Sequence, residues 1–442
     1  MFDFDKVNEV LETKQAEPKK RLGTILVVDD EPENVKALER LLANECHVFG
    51  TTEPKKALEI YEKENIDLII SDQRMPVLMG TELLEKVRTM GDDHLSLILT
   101  GYTDAQDLIT CINRGLLYRY LVKPWHPEEL ISVIKQAFDQ LKKDRMIKKL
   151  IPQQVISRLY DGVLEDASAG DAKEVECCIL FLDIRGFTTL VETMEPRDVF
   201  AFLTSYVTTL APVVQGSHGY IDKYLGDGLM AIFDRPGSFC EDALKCAIQL
   251  IEATFAYNDT NRSELIPAFR AGGEIRHPLR VGISINIGKV MLGAIGSKSR
   301  MEFTVLGDAV NVAARIEELT KTFGIKIICH EDVAKASPNI ATRRIGKVSL
   351  RGKQEKIAVY DVFDTDDRDL VELKQSYQKE FEEIVGRLLE DTESDIDKVQ
   401  EAFYELFDKH PYDPILREMH VFMKNRKQAL IVKKPSLALR SV

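Results

Sequence analysis

The sequence predicts two domains in series: an α/β unit on a five-stranded parallel, doubly wound sheet, then an α+β unit with a βαββαβ core. A helical linker joins them and a helical tail follows. Three observations predict this. Between residues 24 and 142, five apolar runs alternate with helical stretches, the pattern of parallel strands with crossover helices. Between residues 173 and 364, strands also follow one another directly, as in a mixed sheet with helices on one face. After residue 365, apolar residues recur only at helical spacing. The expected segments are a tail at 1–22, domains at 23–142 and 173–364, a helical linker at 143–172 and the tail at 365–442.

Composition narrows the function. A chain of 442 residues with 44% hydrophobic content supports several cores. The net charge of −13 argues against a nucleic-acid surface, whose footprint is basic. No run of eighteen apolar residues occurs, so no membrane span is expected, and the charged start MFDFDKVNEV is no secretory signal. The seven cysteines lie scattered without a CxxC pair and read as reduced, packed thiols of a cytoplasmic protein.

In the first domain, TILVVDD ends in two acids. A helix over 33–43, HVFGTT, a helix over 55–63 and DLIISD follow, then a helix over 82–88, LSLILTG, a helix over 105–113, YRYLVKPW and a last helix from Pro127. Ligands of such sheets sit at the C-terminal strand ends, which here carry Asp29, Asp30, Asp72, Thr100 and Lys123. Three carboxylates on one edge invite Mg²⁺. Asp72 reads as a nucleophilic carboxylate that accepts a phosphoryl group, with Lys123 as a point charge for its oxygen and Thr100 as a hydroxyl. Residues 24 to about 142 resemble a two-component receiver domain. The resemblance implies phosphorylation of Asp72 by a histidine kinase and Mg²⁺ held by the acidic pair Asp29-Asp30, by Asp72 and by the Arg74 carbonyl. It also implies a switch formed by Thr100, Tyr120 and Lys123.

The helix from Pro127 runs to Leu150 with Leu130, Ile134, Ala137 or Phe138, and Leu141 near heptad spacing. That pattern reads either as a short coiled coil or as a helix packed on its own sheet. IPQQVISRLY is a further short helix, and an acidic linker leads to the second domain.

The apolar run ECCILFL delivers Asp183 to a strand end, and the turn at Gly186, Phe187 and Thr188 offers backbone N–H groups to phosphate oxygens. A helix over 195–213 is expected to bury Phe200, Leu203, Tyr206, Val207 and Leu210. Two strands then enclose Leu225-Gly226-Asp227, which places Asp227 at a hairpin tip. A helix, a polar loop over 258–277, the strands LRVGISINIG, KVMLGAIG and EFTVLGD, a helix over 309–323 and a last strand group complete the domain. Asp183 and Asp227 on adjacent strand ends are what a two-metal site needs. Asn311 and Arg315, four apart, share one helix face, suited to a ribose and to a pentavalent phosphate in a partner subunit.

Residues 173–364 resemble a class III nucleotide cyclase catalytic domain, whose core is ferredoxin-like. The resemblance implies two Mg²⁺ or Mn²⁺ ions on Asp183, Asp227 and the Ile184 carbonyl. It matches Lys223 and Thr304 to the purine-reading pair, and Asn311 and Arg315 to the transition-state pair. Arg351, in LRG rather than LKG, takes the place of a triphosphate-binding lysine. Lys223 with Thr304 is similar to the adenylate cyclase subgroup, so ATP is the expected substrate and a homodimer the expected assembly. Guanylate cyclase, or a silent nucleotide-binding scaffold, is the alternative. The tail carries two amphipathic helices, with Phe381, Ile384, Val385 and Leu388, and Val399, Phe403, Leu406 and Phe407, as their apolar sides.

Overall fold

The computed structural model describes residues 21–91, 93–101, 116–160, 168–192, 194–260, 270–271, 274–275, 278–297, 300–350, 355–390 and 396–430. It divides into two compact units, residues 1–150 and 151–442.

The first unit holds β1 (Thr24–Val28), β2 (His47–Thr51), β3 (Leu68–Asp72), β4 (Leu95–Thr100) and β5 (Arg119–Val122), all parallel, in the order β2-β1-β3-β4-β5. The helices are α1 (Pro32–Leu42), α2 (Pro54–Lys63), α3 (Gly80–Met90) and α4 (Pro127–Leu150). The helix expected over 105–113 lies outside the described residues. Proline opens α1 and α2, where its missing N–H is no loss. Alternate residues of β1 face opposite cores: Ile25 and Val27 meet Leu38 and α4, while Leu26 and Val28 meet Ala57 and Leu83. The heptad-like residues of α4, Leu130, Ile134, Ala137 and Phe138, are all buried in that first core. The seam therefore serves the unit's own sheet. Arg145 pins the end of the helix by ion pairs to Asp67 (2.6 Å) and Asp93 (2.8 Å). Beyond it, Met146, Ile147 and Leu150 are exposed.

The second unit carries β6 (Ala172–Ile184), β7 (Tyr220–Leu225), β8 (Gly228–Phe233), β9 (Val281–Ser297), β10 (Arg300–Leu306), β11 (Ile327–His330), β12 (Thr342–Val348) and β13 (Ile357–Val362). Their order is β12-β13-β11-β9-β6-β8-β7, with β10 paired to β9. The helices are α5 (Gln153–Tyr160), α6 (Phe187–Val191), α7 (Pro196–Gly216), α8 (Phe239–Thr260), α9 (Asp308–Phe323) and α10 (Glu331–Ala336). The last four are α11 (Arg368–Ser376), α12 (Gln378–Glu390), α13 (Ile396–Lys409) and α14 (Pro414–Leu430).

Three sequence expectations are corrected here. Helices cover both faces of this sheet, not one. Cys178, Leu180 and Leu182 of β6 pack against α7 and α8, while Cys177 and Ile179 pack against α5 and α9, as a run apolar at every position requires. The stretches LRVGISINIG and KVMLGAIG form one strand, because β9 pairs with β6 in unbroken register from Val281–Ile184 to Gly293–Ala172. In α7, Phe200 is 76% exposed and the buried side is Phe202, Tyr206, Leu210 and Val214. By length and composition α7 could cross a membrane, but this stripe sits in the unit's core.

The tail is part of the second unit. Phe381, Val385, Phe403 and Leu406 join Ile328, Ile345 and Val359 of the sheet and Val312 and Ile316 of α9 in one core. Buried charges reinforce it. Arg343 of β12, fully buried, donates to Asp361 of β13 (2.9 Å) and to Asp413, just before α14 (2.5 Å). Tyr377 also donates to Asp413 (2.6 Å), and Lys374 of α11 pairs with Asp366 (2.6 Å).

Candidate active site

The first unit gathers Asp29, Asp72 and Lys123 at the C-terminal edge of its sheet. The Lys123 ammonium donates to Asp29 Oδ2 at 3.1 Å and to Asp72 Oδ1. Burial works against that charge, but the hydrogen bonds and charges of Asp72 and Asp29 outweigh it and hold the Lys123 pKa above its ordinary value. The Arg74 N–H donates to Asp72 Oδ2 at 2.8 Å, which fixes the second carboxylate oxygen. Asn34 clasps Asp29 from α1 (3.0 Å), a contact the sequence did not flag. Thr100 is buried at the end of β4 and donates to the Gly101 carbonyl (3.0 Å), whereas Asp30 and Tyr120 are exposed.

In the second unit, Asp183 closes β6 one residue before its end, and Asp227 stands in the two-residue turn between β7 and β8. Gly226, at φ 66°, takes the left-handed conformation that turn requires. Gly228 lets β8 press against β6, since a Cβ there would lie 2.5 Å from the Leu182 carbonyl oxygen. The two carboxyls consequently lie close enough for the charge of one to act on the other. Burial first, then the Asp183 charge, raises the Asp227 pKa, and Lys321 pulls the other way. From α9, Lys321 donates to Asp183 Oδ2 at 2.8 Å. Below it, Arg185 pairs with Glu317 (3.7 Å) and donates to the Thr320 hydroxyl, tying the turn after β6 to α9. Hard carboxylate oxygens that repel one another and draw in an ammonium fit Mg²⁺ or Mn²⁺. Among the described residues no group of three or more His, Cys, Asp or Glu is placed to hold a metal.

Lys223 and Thr304 come together at a second location. The β7–β8 register shifts between Ile221 and Lys223, so Asp222 sits in a bulge. A bulge turns two successive side chains to one side. Both meet β10, where Glu302 and Thr304 share a face by strand alternation. Lys223 donates to Glu302 Oε1 (3.0 Å), and the Thr304 hydroxyl donates to Asp222 Oδ2 (2.9 Å).

Helix α9 is held to β9 by buried polar bonds: Ser284 to the Ala313 carbonyl (2.8 Å) and Asn286 to the Ala309 carbonyl (2.8 Å). With Ala309, Val312, Ala313 and Ile316 inward, Asn311 is exposed and Arg315 half-buried on the other side. Gly186, at φ 67°, stands at the start of α6, whose first two residues are Phe187 and Thr188, and Ile184 ends β6 with its side chain in the core. Arg351 lies outside the described residues. Sequence reasoning missed Lys321, Arg185, Asp222 and Glu302. All are charged residues whose partners lie far along the chain.

Residues 171–362 match the adenylate and guanylate cyclase catalytic domain, and residues 25–135 match the response regulator receiver domain. An adenylate cyclase of Anabaena cylindrica is 36% identical over 239 residues, 53% of this chain and 46% of its own length. The terminal-differentiation-specific adenylate cyclase of Dictyostelium discoideum is 32% identical over 237 residues, 52% of this chain and 11% of that one. The hydrogenase transcriptional regulatory protein HoxA of Cupriavidus necator is 37% identical over 117 residues, 26% of this chain and 24% of its own length. The chain thus spans less than half the length of each of these relatives. Two families meet in this chain, a response regulator receiver domain followed by an adenylate and guanylate cyclase catalytic domain.

Proposed function

We propose that the chain is an adenylate cyclase of the cytoplasm that converts ATP to 3′,5′-cyclic AMP and pyrophosphate, under control of phosphorylation at Asp72 by a histidine kinase. The observation that carries the reading is the Asp183–Asp227 carboxyl pair at adjoining strand ends of a domain that matches the cyclases. In the reaction the ATP 3′-oxygen forms a bond to the α-phosphorus. The bond from that phosphorus to the bridging oxygen breaks, pyrophosphate leaves, and the hydroxyl proton passes to solvent. Asp183, Asp227 and the Ile184 carbonyl would hold divalent cations, which would supply positive charge to the triphosphate and acidify the hydroxyl. The turn at Gly186, Phe187 and Thr188 receives phosphate oxygens on its N–H groups. Arg315 stabilises the charge that grows on the α-phosphoryl oxygens, Asn311 orients the ribose, and Arg351 holds the triphosphate.

Adenine is read by Lys223, which donates to a ring nitrogen, and by Thr304, which accepts from the amino group. The residues divide between two chains of a homodimer: the carboxyl pair from one, and Lys223, Thr304, Asn311 and Arg315 from the other. The β9–β10 hairpin supports this. Met291, Ile295 and Leu306 lie on the strand face that also carries Thr304, and they are 43%, 47% and 51% exposed. Apolar side chains in that number on a face bearing functional groups fit a covered interface. In the receiver, Asp29, Asp30, Asp72 and the Arg74 carbonyl would hold Mg²⁺. Phosphorylation of Asp72 rearranges Lys123, Thr100 and Tyr120, and the helix from Pro127 to Leu150 carries the change onward.

The test is product identification. The full chain is incubated with ATP or GTP and Mn²⁺, with and without a small-molecule phosphoryl donor, beside Asp72→Asn. Cyclic AMP at a donor-dependent rate that Asp72→Asn abolishes is expected. Cyclic GMP as main product establishes the guanylate reading, and bound nucleotide without product establishes a scaffold.

A further inference from the structure

We infer that Asp222 is a specificity-positioning residue: it takes the Thr304 hydroxyl proton and so leaves that hydroxyl only its lone pairs to offer to a purine. The inference rests on the adenine-reading role proposed for Thr304 and deepens it. A threonine hydroxyl alone does not choose between adenine and guanine at this point. It has one proton to donate and two lone pairs to accept with, and it rotates to suit its partner. Toward the adenine amino group it must accept; toward the guanine carbonyl oxygen it would donate. Selectivity therefore requires something to settle where the proton goes.

Asp222 supplies that. Its Oδ2 stands 2.9 Å from Thr304 Oγ1, and the other acceptor in range, the Val305 carbonyl, is 3.4 Å away. The Asp222 side chain is 1% exposed, and Thr304 is buried, so water does not compete for the bond. Burial raises the Asp222 pKa above its ordinary value, while the Thr304 hydrogen bond and Lys223, 3.7 Å from the same Oδ2, pull it back and favour the acceptor form. The arrangement is built by the bulge. With regular β7–β8 pairing, Asp222 and Lys223 would point to opposite faces, and only one would meet the Glu302–Thr304 face of β10. Lys223 is in turn braced by Glu302 at 3.0 Å, so both purine-facing groups have a carboxylate behind them. The Thr304–Asp222 bond is charge-assisted and buried, which makes it the stronger kind. A bound GTP would have to break it to gain a donor for its carbonyl oxygen.

The experiment measures the ratio of kcat/KM for ATP to that for GTP, which cancels differences in folded fraction. Asp222→Ala is expected to lower the ratio by about tenfold, the worth of one hydrogen bond. Asp222→Leu, which puts two methyl groups where the carboxylate oxygens stand and leaves no void, is expected to do the same and keeps the test open if the alanine variant fails to fold. Thr304→Val lowers the ratio too, and adding Asp222→Ala to Thr304→Val lowers it no further, because Asp222 acts only through the hydroxyl. A wild-type ratio retained by both Asp222 variants, or full additivity with Thr304→Val, overturns the inference. If the wild type forms no cyclic AMP, it is the proposed function that fails instead.

Discussion

Lys321 stands directly against the carboxyl pair of the second unit. Its ammonium lies 2.8 Å from Asp183 Oδ2, and that hydrogen bond is the main reason its pKa is raised. A cation of the chain's own thus lies against a carboxylate proposed to hold divalent ions, and the two compete. Because Lys321 is half exposed, its ion pair is of the weak, solvent-screened kind. Lys321→Ala is expected to tighten Mn²⁺ binding about two- to fivefold, read by Mn²⁺ titration without nucleotide; unchanged or weaker binding refutes the competition. Asp183 and Asp227 were legible in the sequence, since Asp183 closes one apolar run, Asp227 stands just before another, and a nearby Gly marks each turn. Lys321 and Asp222 were not. Their partners, Asp183 and Thr304, lie 138 and 82 residues away, and only the assembled sheet brings them together.

At the scale of elements, periodicity located strands and helices but did not always choose a face. In α7 apolar residues surround much of the helix, and whether Phe200 or Phe202 faces inward depends on where α8 and the sheet lie. For α4 the heptad spacing was real but fitted two partners, and the sheet took it. The tail's apolar stripes were also legible, but its ionic clamp was not. Removing Arg343 takes the nearest buried counter-charge from both carboxylates, leaving Asp361 with Lys374 at 3.6 Å and Asp413 with the Tyr377 hydroxyl and two backbone N–H groups. Arg343→Met is therefore expected to lower the stability of the second unit by about 3–5 kcal/mol, read from urea unfolding; a loss near zero refutes the clamp. The clamp also titrates. Burial alone would raise the Asp413 and Asp366 pKa values. Arg343 and Tyr377 at the first, and Lys374 and Lys326 at the second, outweigh it and hold both below the ordinary 3.8. A lowered native pKa stabilises fully above the unfolded value and is lost as pH falls through the folded one. The thermal midpoint of the wild type accordingly falls below about pH 4, and Arg343→Met falls less steeply there.

For the whole molecule, the decisive question is whether one chain can complete a site. Asp183 and Asp227 form one group of contacts, and Lys223 and Thr304 form another with Asp222 and Glu302. Asn311 and Arg315 face away from the core that seats their helix. If two chains share each site, a dimer of Asp183→Ala with Arg315→Ala contains one site carrying both lesions and one carrying neither. Each variant alone is expected to be inactive, because every site in its homodimer lacks either the carboxylate or the guanidinium. Mixed in equal amounts with free exchange, half of the dimers are heterodimers with one intact site each, so activity returns to about a quarter of the wild-type rate. Cyclic AMP formation over a titration of one variant into the other reads this directly, with a maximum near equal amounts. A mixture as inactive as its components, under conditions where subunit exchange is demonstrated by a tagged chain, shows that each chain builds its site alone.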